Sequence, residues 1–329
     1  MFIGHALIAF AVAALVADWR GWDRRPALIA GGVAGAFAAI PDIDVAYALV
    51  GLANAANGSV GAPRAFWDAS RAVHRSVTHS LVVGAVAAPA FGLLAVNGSS
   101  YHRLARLAGS ALLVALVAIA FVFGGPLAAV VTGLFVVSGA FVATVSARWT
   151  SLSAPTVAVA AFWGLWSHPW GDLVTGSPPD LLFPFGSPVF GSRVVLHSDP
   201  TLHLLGAFAI ELAAIWLAFV AICRLTDRSI VATINRRAAV GVAYGVAALA
   251  VTPPTLEVSY HFVYSILAVG FLCGAVRGTP APSTGRFRTY YSGRPTFSGT
   301  LEVALTMLMA ITLALAAYAT VYIFLVAPA

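Results

Sequence analysis

The sequence predicts an all-α, polytopic transmembrane helical bundle of about ten transmembrane helices. Composition is the first reason: 60% of the 329 residues are hydrophobic and 9% are charged, whereas a soluble domain carries roughly 25% charge. Mean hydropathy is +0.92. Pattern is the second: the apolar residues come in long runs, without the alternation that marks a membrane β-barrel. Placement is the third: the charges gather in short stretches between those runs.

Taken in order, the candidate spans run approximately 2–17, 27–44, 80–97, 104–123, 127–147, 152–167, 201–223, 238–254, 259–277 and 302–326. Several fall short of the roughly 20 residues of a full crossing. The first is apolar from Phe2 to Val16, with its charges following at Arg20, Arg24 and Arg25. That flank order suits a retained helix with its N-terminus outside rather than a secretory signal. Val45 to Ala56 is too short to cross and reads as an interfacial or re-entrant helix on the side of Asp42. Ser177 to Pro200 is an apolar, Pro-rich outer loop whose Phe183-Pro184-Phe185 is expected on the membrane surface as a lid. Arg277 to Gly299 reads as a flexible basic cytoplasmic loop near anionic lipid.

All 18 basic residues are Arg, and the net charge is +6. With the N-terminus outside, 14 of the 18 lie in inside loops and Arg64, Arg71, Arg75 and Arg193 lie outside. The positive-inside bias therefore accounts for the basic balance without nucleic acid. All-Arg, Ala-rich usage suits a prokaryote, so the expected location is a prokaryotic plasma membrane, multi-pass. Cys223 and Cys273 sit near span ends and read as small packing residues, not as a disulfide or a cysteine-based zinc site. No internal repeat, Walker-type glycine loop or dinucleotide fingerprint appears.

In so apolar a chain, ionisable residues at or inside spans are costly and informative. His5 lies in the first turns of the first span. Asp42 and Asp44 end the second, in Pro41-Asp42-Ile43-Asp44. His74-Arg75-Ser76-Val77-Thr78-His79-Ser80 opens the third, and His168-Pro169-Trp170-Gly171-Asp172 ends the sixth. Under the Arg-derived orientation all seven His and Asp residues fall on the outer, extracytoplasmic side. Imidazoles and carboxylates are the ligands of a borderline divalent metal, and such a set can hold one or two ions, zinc first, with manganese or iron as alternatives. His74 and His79 are five apart, off any one helix face, so His74 is expected in the loop, with Ser76 or Thr78 capping the helix that starts near His79. His168 and Asp172 have helical spacing, which Pro169 complicates.

In this order, these motifs resemble the YdjM family of membrane-bound, predicted metal-dependent hydrolases. The resemblance covers residues 1 to about 190 and includes Leu182-Phe183-Pro184-Phe185. It implies His5, Asp42, Asp44, His74, His79, His168 and Asp172 as metal ligands. The family's His/Asp pattern is similar to that of zinc-dependent phospholipase C, which implies hydrolysis of a phosphoester, expected in a membrane lipid or lipid-linked substrate. Pro169 and Gly171 depart from the smooth helix expected for the last motif. The implied division is a hydrolase region over residues 1–200, about six helices plus the outer loop, and a C-terminal extension of about four helices over 201–329.

The expected roles follow. Asp44 or Asp172 serves as base or supports the metal ligands, and Arg75 holds a substrate phosphate. Glu211, mid-span, is either functional or bonded to a neighbouring helix. His197, Asp199, His203 and His261 are candidates to complete the shell, although solvated loop positions explain them as well. A metal-ion or proton transporter using the same cluster is the main rival, and a non-enzymatic scaffold the second. Oligomeric state is not legible.

Overall fold

The computed structural model describes residues 2–43, 77–98, 100–186, 189–275 and 297–327. Among these, every regular element is helical. The chain divides into two compact units, Met1–Val194 and Val195–Ala329.

The first unit opens with α1 (Phe2–Trp19) and α2 (Arg24–Ala38), reversed by a turn at Gly21, φ 80°. They pack closely and antiparallel. A Cβ on Gly31 would lie 2.7 Å from the Phe10 carbonyl, and one on Gly35 would lie 2.7 Å from that of Ala6. Such small-residue contacts let apolar helices approach where lipid offers no hydrophobic driving force. A single 3-10 turn at residues 41–43 follows α2. After the stretch outside the described residues, a second 3-10 turn, Val77–His79, leads into α3 (Leu81–Leu94).

Next comes α4, His102–Trp149, two helical arms that meet at Gly125, φ 79°, just before Pro126. A 48-residue rod would reach about 72 Å. The chain instead returns on itself. Asn97 donates to the Ala147 carbonyl at 3.0 Å and accepts from the Arg106 guanidinium, so both ends of α4 meet one side chain. The two spans expected at 104–123 and 127–147 are thus the arms of one hairpin. Proline removes a backbone donor, and glycine supplies the left-handed residue that lets the arms fold together.

The last long element of this unit is α5, Ala154–Asp172, capped by the Ser153 hydroxyl on the Thr156 N–H. It runs antiparallel to α1 and α3 and beside α2, as its packing partners show: Trp163 donates to the Ala9 carbonyl, and Trp166 to that of Leu81. Phe37, Phe91, Phe135 and Leu165 form the core among these helices. The loop after α5 is not spread as a lid. Leu181 is 1% exposed and Phe183 packs against this core, whereas its neighbour Phe185 is exposed. The reason is local: the Ser80 hydroxyl donates to the Phe183 carbonyl at 2.9 Å, and Leu81 N–H to the Leu181 carbonyl at 2.9 Å.

In the second unit α6 (Pro200–Leu225), α7 (Tyr260–Ala275) and α8 (Phe297–Val321) enclose Phe262, Ile266, Leu308 and Tyr318. The span expected at 238–254 differs. There the chain forms a 3-10 helix, Arg236–Val246, and one α-turn, Ala247–Ala250. Gly241 and Gly245 let this slimmer coil lie against the backbone of α8 at Ala310 and Ala317.

Three helical stretches among the described residues are long and apolar enough to cross a membrane: His102–Trp149, Pro200–Leu225 and Phe297–Val326. Ile3–Trp19, Leu81–Leu94 and Tyr260–Ala275 are apolar but shorter. The all-helical architecture stands; the count of about ten crossings depends on the shorter helices.

Candidate metal centre

The antiparallel order of the first unit brings four chain positions to one end. These are the start of α1, the turn after α2, the turn before α3 and the end of α5. Each carries a metal-ligand side chain: His5, Asp42, His79, and His168 with Asp172. Within the described residues they form two overlapping groups able to hold a metal ion, His5–Asp42–His168 and His79–His168–Asp172. His5, His79, His168 and Asp172 are each at most 2% exposed, while Asp42 is somewhat more open.

The distances are those of a coordination shell. His168 Nε2 lies 3.1 Å from His79 Nε2 and 3.6 Å from Asp42 Oδ1. His79 Nε2 lies 3.2 Å from Asp172 Oδ2 and 3.9 Å from Asp42 Oδ1. His5 Nε2 lies 3.3 Å from Asp172 Oδ1. Two ligands on a tetrahedral zinc, each bonded at about 2.1 Å, stand roughly 3.4 Å apart.

Tautomers support the same reading. His168 Nδ1 lies 2.7 Å from the Ala38 carbonyl, which can only accept, so Nδ1 carries the proton and a neutral His168 presents a bare lone pair at Nε2. His79 Nδ1 lies 2.9 Å from the Thr78 hydroxyl, a partner able to accept its proton. A metal-bound histidine fixed by an outer partner has this arrangement. Lone pairs meeting at 3.1 Å repel unless a proton or a cation lies between them. Two carboxylates among neutral imidazoles sum to −2, the charge a divalent ion cancels.

Local structure explains how the residues arrive. α5 stays helical through Pro169 and Gly171, so His168 and Asp172 keep their four-residue spacing on one buried face. The interruption expected from those two residues does not occur. Gly164, one turn before His168, lets α5 touch α2: a Cβ there would lie 2.5 Å from the Ala34 carbonyl and 2.8 Å from Ala38 N. That approach delivers the Ala38 carbonyl to His168. The cap of α3 is Ser80, not Ser76 or Thr78. Its hydroxyl accepts from Val82 N–H at 3.2 Å and Val83 N–H at 3.3 Å, which leaves Thr78 for His79. A serine directly before an apolar run is a cap signal legible in sequence. The Ala38 carbonyl carries no such signal.

Asp44, His74 and Arg75 lie outside the described residues. The additional shell candidates are occupied otherwise. Asp199 caps α6 on Leu202 N–H at 2.9 Å and accepts from the Tyr322 hydroxyl at 3.0 Å. His203 Nδ1 accepts from Leu196 N–H at 3.1 Å, His197 Nδ1 from Asp199 N–H at 3.0 Å, and His261 Nε2 lies 3.2 Å from the Thr252 carbonyl. Glu211 is a half-buried residue of α6 in the second unit.

The YdjM inner membrane protein family matches residues 1–252, about three quarters of the chain, and the chain belongs to that family. The family's description names a membrane and no reaction. No curated protein and no solved structure matches.

Proposed function

We propose that this YdjM family member is a membrane-embedded, metal-dependent hydrolase of a phosphoester, in a lipid or lipid-linked substrate, working at the extracytoplasmic face. One observation carries the reading: five buried or half-buried ligand side chains from four separate chain positions converge at ligand-to-ligand distances, with their outer nitrogens held by Ala38 and Thr78. His168 belongs to both groups, so the described residues suit one ion. A second ion would draw on Asp44 and His74. Zinc fits this nitrogen and oxygen set best, with manganese or iron next.

Bound there, the metal would lower the pKa of a water and offset charge developing on the phosphoryl group. The chain's own residues supply the rest. Thr78 and the Ala38 carbonyl fix the imidazoles, Asp172 or Asp44 takes the proton, and Arg75 grips the phosphate. The membrane arrangement belongs to the same proposal. With about ten crossings, the α4 hairpin and the shorter helices among them, and 14 of 18 Arg on the inside, the site would lie at the outer face.

The test is elemental analysis of the purified protein beside His79→Ala and Asp172→Asn, followed by hydrolysis of phosphodiester and phospholipid substrates. About one to two ions in wild type, lost in both variants, with metal-dependent turnover, is the expected result. No metal after supplementation would refute the metal reading. Bound metal with uptake into proteoliposomes and no hydrolysis would replace the enzyme with a transporter.

A further inference from the structure

The other end of α1 and α5, away from the metal cluster, carries a second feature. A groove of about 520 Å³ runs between these helices, lined almost entirely by carbon, with Val12, Val16, Val159 and Phe162 among its walls. From Val12 to Arg20 it follows α1 for about 12 Å. One polar end closes this apolar length. Arg20 lines the groove there, beside Trp22 and the first turn of α5 at Pro155 and Thr156. Arg20 is exposed, and the indole of Trp22 is 38% exposed.

We propose that this groove binds one acyl chain of an anionic phospholipid, with the lipid phosphate on Arg20. Length and lining suit a hydrocarbon chain, which any membrane lipid would supply. Charge selects the headgroup. Guanidinium matches phosphate geometry, and the N-terminal end of α5 adds the positive end of a helix dipole beside it. The surrounding turn contributes Asp18, Asp23, Arg24 and Arg25, and with Arg20 the stretch sums to +1. Trp22 stands where aromatic side chains favour the boundary between headgroup and hydrocarbon. Under the Arg-derived orientation this is the cytoplasmic leaflet, where basic residues meet anionic lipid. The site is separate from the metal cluster and does not depend on hydrolysis.

Native mass spectrometry of the full-length protein, titrated with phosphatidylglycerol and phosphatidylcholine of identical acyl chains, tests it. Wild type is expected to retain one lipid, with phosphatidylglycerol favoured roughly fivefold, the contribution of about one basic residue at a membrane surface. Arg20→Ala should bring the two lipids level. Val159→Trp fills the groove from a position 67% exposed, so it leaves the core packing alone, and should abolish retention of both. Equal retention of the two lipids by wild type, or retention unchanged in a folded Val159→Trp, overturns the proposal.

Discussion

In the second unit, Asp199 gives one carboxylate oxygen to the Leu202 N–H and the other to the Tyr322 hydroxyl, and His203 turns Nδ1 toward the Leu196 N–H. In the first unit, Asp172 turns its oxygens toward His5 and His79, and His79 faces His168 nitrogen to nitrogen. The residue types are the same and the partners differ. Side chains that accept from backbone N–H groups finish helix ends, which is structural work. Side chains that present acceptors to one another leave a shared place for a cation. Residue type alone does not separate a cap from a ligand; the identity of the facing atom does.

The strongest way to break that comparison is to remove one histidine from each unit. His168→Ala is expected to lower metal affinity by more than about 100-fold, beyond what loss of an outer partner costs. His203→Ala should leave metal content unchanged and cost only stability. Equilibrium dialysis with zinc on both purified variants decides it. Equal metal loss in the two would erase the distinction between the units.

A backbone test comes next. Gly164→Ala places a methyl 2.5 Å from the Ala34 carbonyl, so α5 must move away from α2, and His168 with it. Overpacking of this kind costs about 1–3 kcal/mol, and the metal should bind measurably more weakly. Gly32→Ala in α2 meets nothing within 4 Å, so it should leave metal content unchanged and, by helix propensity, hold or slightly raise thermal stability. A smaller effect is expected at Thr78→Val, which takes the partner from His79 Nδ1 while keeping the shape. Loss of such an outer partner typically costs 10–100-fold in metal affinity, read by competition with a chelator.

These tests also show what was legible in the sequence. His5, Asp42, His79, His168 and Asp172 stand out because ionisable groups are rare in apolar spans, and alternation of helix direction already puts them at one end. Helix type was legible from the length of the apolar runs. Three things were not. The count of crossings blurred because α2 and α3, at 15 and 14 residues, are shorter than a full span. The 3-10 coil at Arg236–Val246 follows from packing of Gly241 and Gly245 on α8, which no local periodicity reports. The loop expected as a lid is held by the Ser80 hydroxyl, a contact across 103 residues.

The mildest prediction concerns pH and the capping side of the comparison. Burial alone would raise the Asp199 pKa, but hydrogen bonds from Leu202 N–H, the Tyr322 hydroxyl and Thr201 N–H, with the nearby His197, outweigh it and hold the group below its ordinary 3.8. A carboxylate depressed in the folded state stabilises fully above its unfolded pKa, and that contribution fades as pH falls through the folded value. Asp199→Asn keeps an oxygen for the Leu202 N–H, and asparagine caps about as well as aspartate. Near pH 7 the variant should still unfold somewhat below wild type, because its amide nitrogen cannot accept from the Tyr322 hydroxyl and the contribution of the ionised carboxylate is gone. As pH falls through the depressed folded pKa of Asp199, wild type should lose stability that Asp199→Asn does not, so the gap between them narrows. Metal content at neutral pH should be the same in both, because this carboxylate faces an N–H and a hydroxyl. Loss of metal in Asp199→Asn would make a cap into a ligand and remove the difference between the two units.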